Sequence, residues 1–209
     1  MSMRRILLTA FLATAIIISS AVASSPSSVQ PLQTHAGNNF CSTFSINEAA
    51  HLYGTAAHCV ADAAPEPYMF GQHVTVVDVA PSLDLAVVRA ILGAPAIHIS
   101  NRNMTEEGCR RDLSSCVVEV EGFPFGLQRP TYSPGHFIGE EFIDGNDNGV
   151  VGKNYSLFFV ACAPGCSGGP IRNEEGQLQS VMQIEVGDTS IFGGATLSQV
   201  REFLLQYQQ

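Results

Sequence analysis

Pro164-Gly165-Cys166-Ser167-Gly168-Gly169-Pro170 sets a serine hydroxyl in a glycine-rich turn. Backbone N–H groups in such a turn are free to hold an oxyanion beside the hydroxyl, which is the equipment for attack on an acyl group. A hydroxyl is a poor nucleophile at neutral pH, so this chemistry requires a base within reach and a carboxylate to orient that base. Thr55-Ala56-Ala57-His58-Cys59 offers His58 as the base. Ser82-Leu83-Asp84-Leu85-Ala86-Val87-Val88 offers Asp84, set in an apolar run where a carboxylate without a partner is expensive to bury. Each residue taken singly also has a plain structural reading, as a histidine beside a cysteine, a strand cap and a turn serine. Asp78 is the rival acid, but strand alternation turns it toward solvent.

The elements that must position these groups are short and β-like. Runs at 41–46, 51–55, 73–79 and 85–90 are each bounded by Gly, Pro, Asn or Asp, and a second set follows at 116–121, 131–138, 155–161, 179–185 and 190–195. This spacing predicts an all-β fold in two halves, about 37–100 and 113–195, joined through 101–112. At 196–208 the period changes: Leu197, Val200, Phe203, Leu204 and Tyr207 fall at helical spacing behind a Thr196-to-Gln199 capping box, which predicts a C-terminal helix. Residues 24–36 are rich in Ser, Pro and Gln and read as a flexible leader. Residues 1–23 read as a secretory signal, with Arg4 and Arg5, an apolar run, and Ala21-Val22-Ala23 as the cleavage site. The alternative is an uncleaved anchor, since the apolar stretch just reaches the length that spans a bilayer.

The chain has 209 residues, 45% of them hydrophobic and 14% charged, ample for a packed core. Cleavage of the signal would take Arg4 and Arg5 and no acid, leaving 8 basic residues against 19 acidic and a net charge of −11. Such a surface repels nucleic acid and anionic membranes, so neither is an expected partner. Residues 144–149 match the first half of a calcium loop, but the twelfth position, where a bidentate Glu belongs, is Tyr155, and a hairpin turn is the better reading. No C-x-x-C pair is present, and neither metal nor cofactor is expected.

Three blocks, T-A-A-H-C, D-L-A-V and G-x-S-G-G-P, occur in that order with their central residues 26 and then 83 positions apart. In this the chain resembles the trypsin/chymotrypsin-like serine proteases over roughly residues 37–209. The resemblance implies two six-stranded antiparallel β-barrels with a catalytic cleft between them, a His58/Asp84/Ser167 triad and an oxyanion hole made by Gly165 and Ser167. It also implies a secreted or periplasmic endopeptidase acting on proteins or peptides. The binding-protein alternative, in which the same fold carries a vestigial triad, is opposed by the completeness of the set. A thiol enzyme using Cys166 ranks behind, because the residue followed by two glycines is Ser167.

The resemblance has departures. Cys166 stands where digestive members carry the aspartate that pairs with a new N-terminus, and no Ile-Val-Gly-Gly segment exists. Together with the Gly122-Phe123-Pro124-Phe125-Gly126 turn, this looks more like bacterial members of the Htr or glutamyl endopeptidase type. The position six before the serine, the pocket floor in this family, is Ala161, so Arg or Lys at P1 is disfavoured; Gln183, Glu185 and Gly193 are expected in the walls. An export signal with six cysteines suggests disulfides, of which fifteen pairings are formally possible. The family's histidine-loop bridge corresponds to Cys41 with Cys59. Cys109 with Cys116 and Cys162 with Cys166 then follow, though free thiols at 162 and 166 stay open because a bridge across four residues is geometrically demanding.

Overall fold

The structure is a computed structural model that describes residues 27–61, 64–145, 150–187 and 189–209. Its first half contains β1 (Val29–Gln33), β2 (Asn39–Asn47), β3 (Leu52–Thr55), β4 (Tyr68–Met69), β5 (Gln72–His73), β6 (Thr75–Ala80) and β7 (Leu85–Arg89). They form one antiparallel sheet in the order β5-β4-β1-β2-β3-β7-β6. This sheet curls as a half-barrel rather than closing with six strands, because β4 and β5 are two residues each and leave too few ladder bonds to join the far edge.

The second half does close. After α1 (Glu106–Arg111), the strands β8 (Val117–Gly122), β9 (Thr131–Ile143), β10 (Lys153–Val160), β11 (Pro170–Asn173), β12 (Leu178–Glu185) and β13 (Ile191–Ala195) form a barrel in the order β10-β13-β12-β11-β8-β9. α1 occupies the predicted connection, capped by the Thr105 hydroxyl accepting from Gly108 N–H at 3.0 Å and tied to the barrel by the Cys109–Cys116 disulfide. The predicted C-terminal helix is α2 (Leu197–Leu204), with the full capping box between Thr196 and Gln199, followed by a 3₁₀ turn at Leu205–Tyr207.

One apolar cluster binds the halves together. Phe44, Ile46, Leu85 and Val87 of the sheet pack with Leu178 and Val181 of the barrel and with Leu197, Val200 and Leu204 of α2. The helix therefore seals the seam between the halves. Part of the segment read as a flexible leader is instead β1: Val29 and Leu32 are fully buried and pair with Phe44 and Cys41 across the ladder. Two buried side chains and a full strand of hydrogen bonds outweigh the Ser, Pro and Gln composition around them. The signal segment, residues 1–23, lies outside the described residues.

Candidate active site

His58 sits in the 3₁₀ turn Ala57–Cys59 that ends β3. A disulfide ties Cys59 to Cys41 on β2, so the turn is pinned while the imidazole, 43% exposed, stands in the cleft. Asp84 follows the turn Pro81–Leu83 and leads into β7, in the left-handed region at φ 49° and ψ 47°. That bend aims its carboxylate back at His58. Asp84 Oδ2 lies 2.8 Å from His58 Nδ1, and Oδ1 accepts the His58 backbone N–H at 2.9 Å. The carboxylate can only accept, so the proton belongs on Nδ1 and Nε2 is left as the basic nitrogen facing the cleft. Asp78, the rival acid, is half-buried rather than solvent-facing; it accepts from Tyr207 Oη at 2.6 Å and serves to anchor the C-terminus.

The Ser167 turn is built from the other half and locked to the first by Ser42. The Ser42 N–H donates to Ser167 O at 2.8 Å, and the fully buried Ser42 hydroxyl donates to Gly165 O at 2.7 Å while accepting from Phe123 N–H at 3.1 Å. Two glycines are required for this fit. Gly165 has φ +106°, and a Cβ there would lie 2.4 Å from Phe123 O; Gly168 has φ +80°, and a Cβ would meet Thr55 Oγ1 at 2.2 Å. The serine turn is thus pressed directly against the segment that carries His58, with Cys59 Sγ 3.7 Å from Ser167 O.

Pro164 O accepts from Phe125 N–H at 2.7 Å, which sets the peptide plane that carries Gly165 N–H, and neither Gly165 N–H nor Ser167 N–H donates to any of the described residues. The Ser167 hydroxyl is likewise unbonded among them, and half-exposed, so no serine–imidazole hydrogen bond is formed in this state. Such bonds are often long before substrate binds. Ser42 is a determinant that sequence reading misses, since its partners are 81 and 123 residues away. Ser42→Ala orphans a buried carbonyl and a buried N–H, and a loss of about 1–3 kcal/mol in unfolding free energy is expected by urea titration. An unchanged midpoint would deny Ser42 this role.

Beside Ser167 lies a cavity of about 210 Å³ lined by Ala163, Pro164, Met182, Ile184 and Phe192, with Gln183 and Glu185. The expected pocket residues divide. Gln183 and Glu185 line it, whereas Ala161 is exposed and Gly193 is packed beneath Ile184, 2.8 Å from where its Cβ would be. Ala163 and Pro164, inside the loop closed by the Cys162–Cys166 disulfide, form the wall on that side. That bond also removes the free-thiol alternative: Cys166 is 2% exposed and its sulfur is committed.

Cys41, His58 and Cys59 offer atoms within 4.8 Å of one another, but both sulfurs are spent in the disulfide and cannot act as thiolate ligands. Most of the calcium-like loop, residues 146–149, lies outside the described residues. No helix among the described residues is long and apolar enough to cross a membrane.

No family model and no curated protein matches the chain. Solved structures do match. The active form of the Rv3671c protease from M. tuberculosis aligns at 21% identity and TM-score 0.68, over 98% of this chain and 91% of that one. An inactive form of the Rv3671c protease gives 21% and 0.67 over 86% and 88%. The serine endoprotease from Yersinia pestis gives 17% and 0.63, over 88% of this chain and 64% of that one. The closed barrel, the curled half-barrel and the C-terminal helix together are the chymotrypsin-like protease fold.

Proposed function

We propose that this protein is a serine endopeptidase in which Ser167 is the nucleophile, His58 the general base and Asp84 the residue that orients it. The observation that carries this reading is the two-point contact of Asp84 with the Nδ1 and backbone N–H of His58, on the cleft wall against which the Ser167 turn is packed. Ser167 Oγ attacks the scissile carbonyl and forms a C–O bond. Its proton passes to His58 Nε2, and the carbonyl oxygen, now negative, accepts from the N–H groups of Gly165 and Ser167. Collapse breaks the C–N bond, the amine leaves with the proton from His58, and water repeats the sequence to release the acyl group.

In place of the aspartate–N-terminus ion pair, the Cys162–Cys166 disulfide and the Ser42 bridge hold the loop before Ser167. The enzyme therefore resembles bacterial members that fold active, and the Gly122-to-Gly126 turn packs behind Gly165 in keeping with that. Three disulfides favour an extracytoplasmic site of action. The substrates are proteins or peptides, and the acidic balance of the chain disfavours nucleic acid and anionic membranes as partners.

The cavity walls are mostly apolar, and the carboxylate of Glu185 is exposed on it. A small or medium apolar P1 residue is expected, and a random peptide library with cleavage sites read by mass spectrometry tests both activity and preference. Cleavage after Ala, Val, Leu or Met supports the reading. Cleavage after Arg or Lys would assign Glu185 to the pocket charge, and no cleavage by folded protein would count against a peptidase.

A further inference from the structure

Lys153, the first residue of β10, is 7% exposed, yet among the described residues no carboxylate lies within ion-pair distance of it. Its ammonium donates to Leu83 O and, at 2.7 Å, to Gln183 Oε1, and it stands 4.7 Å from the centre of the Tyr155 ring. Gln183 is the extra residue of a bulge in β12, where the register with β13 shifts between Met182 and Ile184. The bulge turns its side chain inward, and Nε2 donates to Leu83 O at 2.9 Å and Asp84 O at 2.7 Å. A buried lysine supported by neutral acceptors and a ring is a poor means of stabilising a core, since a methionine of similar length would avoid the desolvation. Its location gives it another use.

We propose that Lys153 and Gln183 are positioning residues for Asp84, holding the two carbonyls at its bend from the opposite half of the molecule while the lysine charge moderates the field at His58. This rests on the triad reading above. A left-handed conformation at a residue with a side chain is disfavoured. Three hydrogen bonds from the barrel hold the carbonyls of Leu83 and Asp84, which the 3₁₀ turn itself leaves without partners. The carboxylate is thereby fixed in direction as well as in distance.

Asp84 is the charged group that acts on the Lys153 ammonium, and Tyr155 is the titratable side chain packed against it. Burial pulls the lysine down to about 8, while the charge of Asp84 pushes the other way. Lys153→Met removes a positive charge that acts on Asp84, so the negative charge of the carboxylate is less offset beside His58 and the acid limb of the rate profile moves upward.

The test uses inactivation by a fluorophosphonate, followed from pH 5 to 9, on wild type, Lys153→Met, Gln183→Leu and Ser167→Ala. Lys153→Met and Gln183→Leu should each lower the limiting rate kinact by about 10- to 100-fold, the penalty of a base misplaced by a fraction of an ångström, and Lys153→Met, at a residue that does not line the cavity, should leave KI little changed. Only Lys153→Met should also move the acid limb of the profile upward, by about half a pH unit. Lys153→Gln keeps a donor without the charge and should reproduce the limb shift if the methionine variant does not fold. Folded Lys153 variants with wild-type kinact, or with an unmoved acid limb, overturn the proposal. Labelling that survives Ser167→Ala would instead overturn the triad reading itself.

Discussion

Ser167→Ala is expected to abolish peptide hydrolysis, lowering kcat by about 10⁶-fold, the size of effect seen when a nucleophile that acts as a unit with its base is removed. The fold should not notice. Ser167 is half-exposed and its hydroxyl bonds to none of the described residues, so the change in stability should stay within about 0.5 kcal/mol. The backbone contacts of the turn, Ser167 O to Ser42 N–H and Gly168 N–H to Met182 O, survive the substitution. Hydrolysis of a library-derived fluorogenic peptide and a thermal melt on the same preparation read both quantities. A loss of less than tenfold with an intact melt would place the nucleophile elsewhere.

Asp84→Asn carries the second large effect, about 10⁴-fold in kcat, because the geometry of His58 depends on a group that only accepts. The carboxylate takes two N–H donors from the same residue, the backbone at 2.9 Å and Nδ1 at 2.8 Å. An asparagine has one acceptor oxygen and one donor amide. If its oxygen stays on the backbone N–H, its amide points a proton at Nδ1 and forces the other tautomer, which strips Nε2 of its lone pair for Ser167. If it flips, the oxygen keeps the productive tautomer but the amide meets the His58 backbone N–H donor to donor and that N–H loses its partner, so the first orientation prevails. In that orientation the serine is no longer activated, and the pH–rate profile distinguishes this from unfolding: the melt persists while the rate recovers as hydroxide takes over at high pH. Near wild-type activity in Asp84→Asn would mean that Asp84 is structural.

What was legible in the sequence is what chemistry or local geometry encodes within a few residues. The histidine, aspartate and serine blocks stand out because each combines a reactive side chain with its turn. The capping box at Thr196 and Gln199 announces α2 because both partners lie within one turn. The strands that alternate cleanly were readable to within a few residues. β1 was not, since Val29 and Leu32 are isolated among polar residues and their burial comes from β2 and from the seam.

The site's supporting contacts were illegible for the same reason. Ser42 reaches Gly165 across 123 residues, and Lys153 reaches Leu83 across 70. The bulge that turns Gln183 inward exists only in the pairing of β12 with β13. Counting back from the serine reaches Ala161, whereas the residues that line the cavity on that side are Ala163 and Pro164, inside the loop closed by Cys162 and Cys166.

The most direct test of the account is intact mass after treatment with a fluorophosphonate, on the disulfide-intact protein and on Ser167→Ala. One adduct on the wild type and none on the variant is the predicted result, with proteolytic fragments placing the added mass on Ser167. A folded wild-type chain that takes up no probe, or an adduct that persists in Ser167→Ala, would contradict the assignment of Ser167 as an activated nucleophile.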